Sequence, residues 1–219
     1  MSHLIDFILH LDKHLVELVN AYPLGIYGLL FAIVFAETGL VVTPFLPGDS
    51  LLFAAGTLGR TGILNMPLTA GLLFVAAVAG DAVNYAIGRA AGPRVFTASD
   101  TSSALHRLLN REHLNRAHAF FERYGGKAVV LGRFVPIVRT FVPFVAGAGA
   151  MTYSVFVFYN VVGAALWVGG CMGAGWLFGS IPAVRNNFTL VTLGIVLVSV
   201  LPIAIEMLSH WRKSRTPQA

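Results

Sequence analysis

Five ionisable side chains sit in or beside otherwise apolar stretches of this chain: Glu37, Asp49, Asp81, Arg133 and Arg139. At the centre of a bilayer each charge costs about 2.5–3.5 kcal/mol, so five without partners would cost on the order of 12–17 kcal/mol. Most folds cannot lose that much. The acids lie in the first half of the chain and the arginines in the second, so pairing between halves is the natural escape. Such a set can also do chemistry. A guanidinium offers a phosphate two parallel, charge-assisted hydrogen bonds. Carboxylates beside it can hold the arginine when no anion is bound, and can carry protons when displaced. The plainer alternative is that Arg133 and Arg139 only anchor topology or close internal ion pairs, and that Asp81, near Asn84, is structural.

Convergence of these groups requires breaks in the helices that carry them. On one continuous helix Arg133 and Arg139 would be turned about 600° apart, onto different faces, and Glu37 and Asp49 would be about 18 Å apart. Proline blocks a helix and lacks a donor. Pro136 separates the arginines, and Thr43-Pro-Phe-Leu-Pro-Gly-Asp49 separates the acids. The backbone amides freed by the breaks at Pro47-Gly48 and Pro136 can face a cavity and help to bind an anion.

Other chemistries find little support. The seven histidines lie outside the apolar stretches, and His10/His14, although at metal-like spacing, belongs to a polar surface face. A single cysteine, Cys171, excludes a disulfide framework. No metal site, P-loop or nucleophile–base pair is visible, so a catalytic residue, a cofactor and an enzyme are not expected. Glu206 lies near the end of an apolar stretch, where it can snorkel to the headgroups.

The elements that must position the charges follow from composition. Of 219 residues 56% are hydrophobic and only 11% charged, less than half of the charged share in soluble domains. A soluble enzyme or a disordered chain is thereby excluded. The expected class is an all-α polytopic membrane protein with a single domain over 1–219. Residues 2–20 read as an amphipathic interfacial helix, with Leu4, Ile8, Leu11, Leu15 and Leu18 on one face. Asp6, Asp12 and Lys13 interrupt any signal-peptide core. Spans are expected at 24–43, 66–92, 154–179 and 188–208, the last two free of charge in their interiors and rich in small-residue spacings such as Gly169/Gly173 and Gly175/Gly179. Residues 44–58 and 128–151, broken and too short to cross, are expected to be re-entrant hairpins.

Charge distribution orients the chain. Of 15 Lys and Arg, seven fall between Arg89 and Lys127 and three more between Trp211 and Arg215. The positive-inside rule therefore puts the basic amphipathic segment 93–127 and the tail 209–219 in the cytoplasm. Nucleic acid is not an expected partner, because no aromatic-studded soluble domain accompanies the basic cluster. With that orientation, 44–58 must enter and leave from the outer side and 128–151 from the inner side. The two copies of hairpin plus span also align weakly, Phe45-Leu46-Pro47 with Phe134-Val135-Pro136 and Gly80–Asn84 with Gly163–Trp167. Two re-entrant helical hairpins inserted from opposite faces, in an inverted repeat, are a transporter-like arrangement.

At these residues the chain resembles a known family. Glu37-Thr-Gly39, Phe45-Leu-Pro-Gly-Asp-Ser50, Gly80-Asp81 and Gly132-Arg-Phe-Val-Pro-Ile-Val-Arg-Thr140, followed by Pro143 and Ala146-Gly147, are similar to the DedA family of bacterial inner-membrane proteins, which carry the VTT (SNARE-associated) domain. The resemblance covers about residues 2–210. It implies a role in lipid transport or membrane homeostasis, with proton-driven flipping of undecaprenyl phosphate or another phospholipid in bacterial relatives and lipid scrambling in eukaryotic ones. By residue match the family's functional acids fall on Glu37 and Asp49 and its arginines on Arg133 and Arg139.

The functional expectation is a proton-coupled flippase of the bacterial inner membrane that moves an anionic lipid phosphate. Arg133, Arg139, Pro47, Gly48 and Pro136 would bind substrate, and Glu37, Asp49 and Asp81 would couple protons. The bilayer, the lipid phosphate and protons are its partners, with homo-oligomerisation open. Two other classes stay open: a proton-coupled small-cation exporter using the same charges, and a non-transporting membrane scaffold in which they are structural.

Overall fold

A computed structural model describes residues 22, 24–40, 48–97, 125–179 and 181, with side chains omitted at 92–97, 136 and 137. The described residues form six α-helices and no strand: α1 Gly25–Gly39, α2 Gly48–Arg60, α3 Met66–Thr97, α4 Lys127–Gly132, α5 Pro136–Ala148 and α6 Tyr153–Phe178. The amphipathic helix expected at 2–20, the span at 188–208, the tail 209–219, most of the basic segment 93–127 and Pro47 lie outside the described residues.

Two of the expected spans, α3 and α6, are long and apolar enough to cross a membrane. Both carry large apolar side chains outward: Leu68, Val75, Val83 and Ile87 on α3, and Val155, Phe158, Val161 and Leu166 on α6 are all exposed. A helix that is apolar around its whole circumference belongs in a deep core or in lipid, and these have one face in each. The first expected span is shorter than its apolar stretch. α1 ends at Gly39, and Leu40 is already extended, so the helix measures about 22 Å at 1.5 Å per residue.

The break expected at Pro136 is present, and that at Pro44–Pro47 lies outside the described residues. α4 stops at Gly132, Val135 is extended, and Pro136 opens α5 as its first residue, where its missing N–H costs nothing. Pro143 is accommodated inside α5.

Two of the short helices pack on the long helix of the opposite half of the chain: α2 lies along α6, and α5 along α3. Glycines make both contacts, and they do so reciprocally. A Cβ on Gly56 would collide with the Met172 carbonyl, and one on Gly175 with the Phe53 carbonyl. In the other pair, a Cβ on Gly88 would collide with the Phe144 carbonyl and one on Gly147 with the Tyr85 carbonyl. In every case the carbonyl belongs to the residue three positions before the partner glycine, so the two crossings have the same design. α1 crosses α3 where Gly39 meets Gly80, with a Cβ on Gly39 only 3.3 Å from the Gly80 Cα.

Gly169 and Gly173, expected to favour close helix packing, face no other described helix closely. A Cβ on either meets nothing within 4 Å among the described residues. They line an open apolar groove of about 270 Å³ between α3 and α6, together with Met66, Ala70, Phe74 and Ala165. Gly175 and Gly179 do pack closely, on Phe53 and Thr57 of α2.

Two apolar clusters form the core. The larger joins Ile26, Leu30 and Val34 of α1 to Leu51–Leu58 of α2, Leu73 and Ala77 of α3, and Trp167 and Met172 of α6. The smaller gathers Tyr85, Val129, Val142, Ala146 and Phe156. Along α3 the buried row passes from Leu73 and Ala77 through Asp81 and Asn84 to Tyr85. Along α6 it passes from Phe156 through Asn160 to Trp167 and Met172. A polar layer therefore separates the two clusters along both long helices.

Candidate functional site

The polar layer contains all five intramembrane charges. Arg139, on the first turns of α5, donates from Nη1 to Asp49 Oδ1 at 2.9 Å and from Nη2 to Glu37 Oε1. Glu37 reaches it because α1 carries its buried row Ile26, Leu30, Val34, Glu37 to the helix end. Asp49 reaches it from the first turn of α2, where a carboxylate also suits the positive end of the helix dipole. Gly48 begins that helix with its backbone against the Glu37 carboxylate, where a Cβ would overlap the carboxylate oxygens. The residue expected to bind substrate through its amide thus also makes room for Glu37.

Arg133 forms the second network. It lies in the break between α4 and α5 and donates from Nη2 to Asp81 Oδ2, to Asn160 Oδ1 at 2.7 Å and to the Ala77 carbonyl at 3.5 Å. Asn160 is held in turn by donating to the Val78 carbonyl at 3.0 Å. Asn84 ties three helices together, its amide donating to the Thr38 carbonyl at 3.1 Å and the Thr140 carbonyl at 2.8 Å.

Trp167 joins the networks. Its indole N–H donates to Asp49 Oδ1 at 2.7 Å, the same oxygen that Arg139 holds. Its ring centroid lies 5.1 Å from the Arg139 guanidinium carbon and 5.6 Å from that of Arg133, both within cation–π range. Arg133, Arg139, Glu37 and Asp81 have side chains no more than 6% exposed, whereas Asp49 retains 20%. Among the described residues, Arg133 Nη1 and Arg139 Nε are buried donors without a hydrogen-bond partner. Each such group carries a desolvation penalty of about 1–3 kcal/mol, more when charged, unless something fills it.

The structure brings together Glu37, Gly48, Asp49, Asp81, Arg133 and Arg139. Pro136 is at the start of the helix that carries Arg139; its side chain is not described, and Pro47 lies outside the described residues. Sequence reading missed Asn160 and Trp167, because 154–179 was expected to be a clean span. The signal for Asn160 was there, an amide in the middle of an apolar helix. For Trp167 only its alignment opposite Asn84 in the repeat set it apart.

Comparison with known proteins identifies the family. The VTT domain model matches residues 46–177, more than half of the chain. The chain is 52% identical over 211 residues to Protein DedA of Escherichia coli (strain K12), covering 95% of this chain and 94% of that protein. The chain belongs to the DedA family. Within or near that family it is also 42% identical over 195 residues to an uncharacterized membrane protein of Mycobacterium tuberculosis (strain ATCC 25618 / H37Rv), covering 87% of this chain and 82% of the relative. Inner membrane protein YqjA of Escherichia coli (strain K12) is 37% identical over 166 residues, 75% of this chain and 73% of that protein. No solved structure matches the chain. This DedA-family chain is accordingly a helical membrane protein, and the names of its relatives support the inner membrane as its location.

Proposed function

We propose that this DedA-family protein is a proton-coupled flippase for an anionic lipid phosphate, a carrier rather than an enzyme, with undecaprenyl phosphate or a phospholipid as substrate. The observation that carries the reading is the pair of buried arginines, each ion-paired to an acid yet each keeping one donor nitrogen unused. A phosphate has the charge and the acceptor oxygens to take those donors. Binding would displace Asp49, the most exposed of the acids, from Arg139. The displaced carboxylate would take a proton, and this exchange of partners couples proton movement to lipid movement. The prenyl or acyl tail would remain in the bilayer.

The reading includes an inverted repeat, with 44–58 and 128–151 as hairpins re-entering from opposite faces. The identical reciprocal glycine crossings support it, since a two-fold relation exchanges α2·α6 for α5·α3. Purified protein in liposomes with labelled polyprenyl phosphate and an imposed pH gradient tests the proposal. Protein-mediated movement that responds to the gradient is expected. Transfer no faster than in empty vesicles refutes it.

A further inference from the structure

Trp167 does two things that no other residue of the site does. Its N–H shares Asp49 Oδ1 with Arg139, and its ring lies against both guanidiniums. It is itself buried, 2% exposed, and sits between Ala164 and Val168 in the core row of α6. We infer that Trp167 is a positioning residue for anion binding: its indole N–H keeps hold of Asp49 when a phosphate takes Arg139 away from it. The inference rests on the phosphate-binding reading given above.

The physical reason lies in the two states of Asp49. With no anion bound, Asp49 Oδ1 accepts from both Arg139 Nη1 and Trp167 Nε1. With a phosphate on Arg139, the indole is the remaining donor of that pair. Until the displaced Asp49 takes up a proton it is a charged acceptor. A hydrogen bond to a charged group weighs more than one between neutral groups, and its loss weighs most where no second donor stands in. Removing the indole N–H therefore penalises the anion-bound state more than the empty one. Phosphate affinity falls, although Trp167 need not touch the phosphate. The ring face adds a second effect, since it holds two like charges against one quadrupole.

The experiment is a double-mutant cycle on the full chain in detergent. Farnesyl monophosphate and, separately, inorganic phosphate are titrated against wild type, Trp167→Phe, Asp49→Ala and the double variant. Phenylalanine keeps a ring and removes the N–H. Trp167→Phe should weaken binding about tenfold, the scale of a hydrogen bond to a charged group. In the Asp49→Ala background the same change should cost less than about twofold. A structural role for the indole would persist there, so an equal loss in both backgrounds overturns the inference, as does wild-type affinity in Trp167→Phe. Asp49→Asn repeats the cycle if Asp49→Ala loses its cooperative melt. With 5-fluorotryptophan incorporated at the three tryptophans, the fluorine resonance that Trp167→Phe deletes should shift on titration. An unmoved resonance under saturating phosphate also overturns it. Wild type that binds inorganic phosphate but not farnesyl monophosphate would sink the lipid reading and leave the Trp167 cycle decisive. Wild type that binds neither overturns both.

Discussion

Arg139 serves two carboxylates from separate nitrogens and keeps a third nitrogen spare. A lysine is a point charge with no fork. Arg139→Lys should therefore fold, yet reduce the initial rate of lipid phosphate transfer in liposomes at least about tenfold, on the scale of one charge-assisted hydrogen bond. Asp81 has a different task. It is the charged partner of an arginine that is 3% exposed, and breaking a buried pair costs about 3–5 kcal/mol. Asp81→Asn should lower the thermal midpoint in detergent clearly, and Asp81→Asn with Arg133→Gln should recover part of the loss. An unchanged midpoint in the single variant would exclude this role. The charged members of the site were legible in the sequence because a charge in apolar text is conspicuous. Their pairing was not. The partners are 52, 90 and 102 residues apart, and only packing decides which acid meets which arginine. Trp167 was hidden because its ring belongs in an apolar span and only its N–H does not.

Among the helices, glycine divides into two kinds. Gly175 lets α6 lie against the α2 backbone, whereas Gly169, less than two turns away, faces open groove. Gly175→Leu should force the helices apart and destabilise by about 1–3 kcal/mol or more, the usual cost of overpacking. Gly169→Leu should leave the melting midpoint in detergent within error of wild type. Equal effects at both positions would contradict the packing described. Spacing alone could not separate these glycines, since both lie in small-residue repeats on the same helix. The faces differ by what packs on them, which periodicity does not encode. The break at Pro136 was legible because its cause is local: Pro136 excludes a helical Val135 by contact with its neighbour alone.

For the molecule as a whole, orientation is the property that the basic residues decide. With Cys171→Ala as background, a cysteine at exposed Thr61, in the turn between α2 and α3, should react with an impermeant maleimide from outside the cell. One at exposed Lys127, at the start of α4, should react only after the inner face is opened. Labelling of both from the same side would overturn the proposed inverted arrangement of the two hairpins. The helical class and the membrane setting were legible from composition. The crossed pairing of α2 with α6 and of α5 with α3 was not, because each of these short helices finds its partner in the other half of the chain.

That crossing has a consequence for the birth of the protein. Asp49 leaves the ribosome 90 residues before Arg139, which at about 5–20 residues per second is a wait of roughly 5–18 s. During that interval α1, α2 and α3 have neither their counter-charges nor, for α2 and α3, the glycine faces on which they rest. The nascent first half must therefore be sheltered by the insertion machinery, or carry its acids protonated, until the second half arrives. Among the described helices, the contacts between the two halves are complete only when α6 is in place.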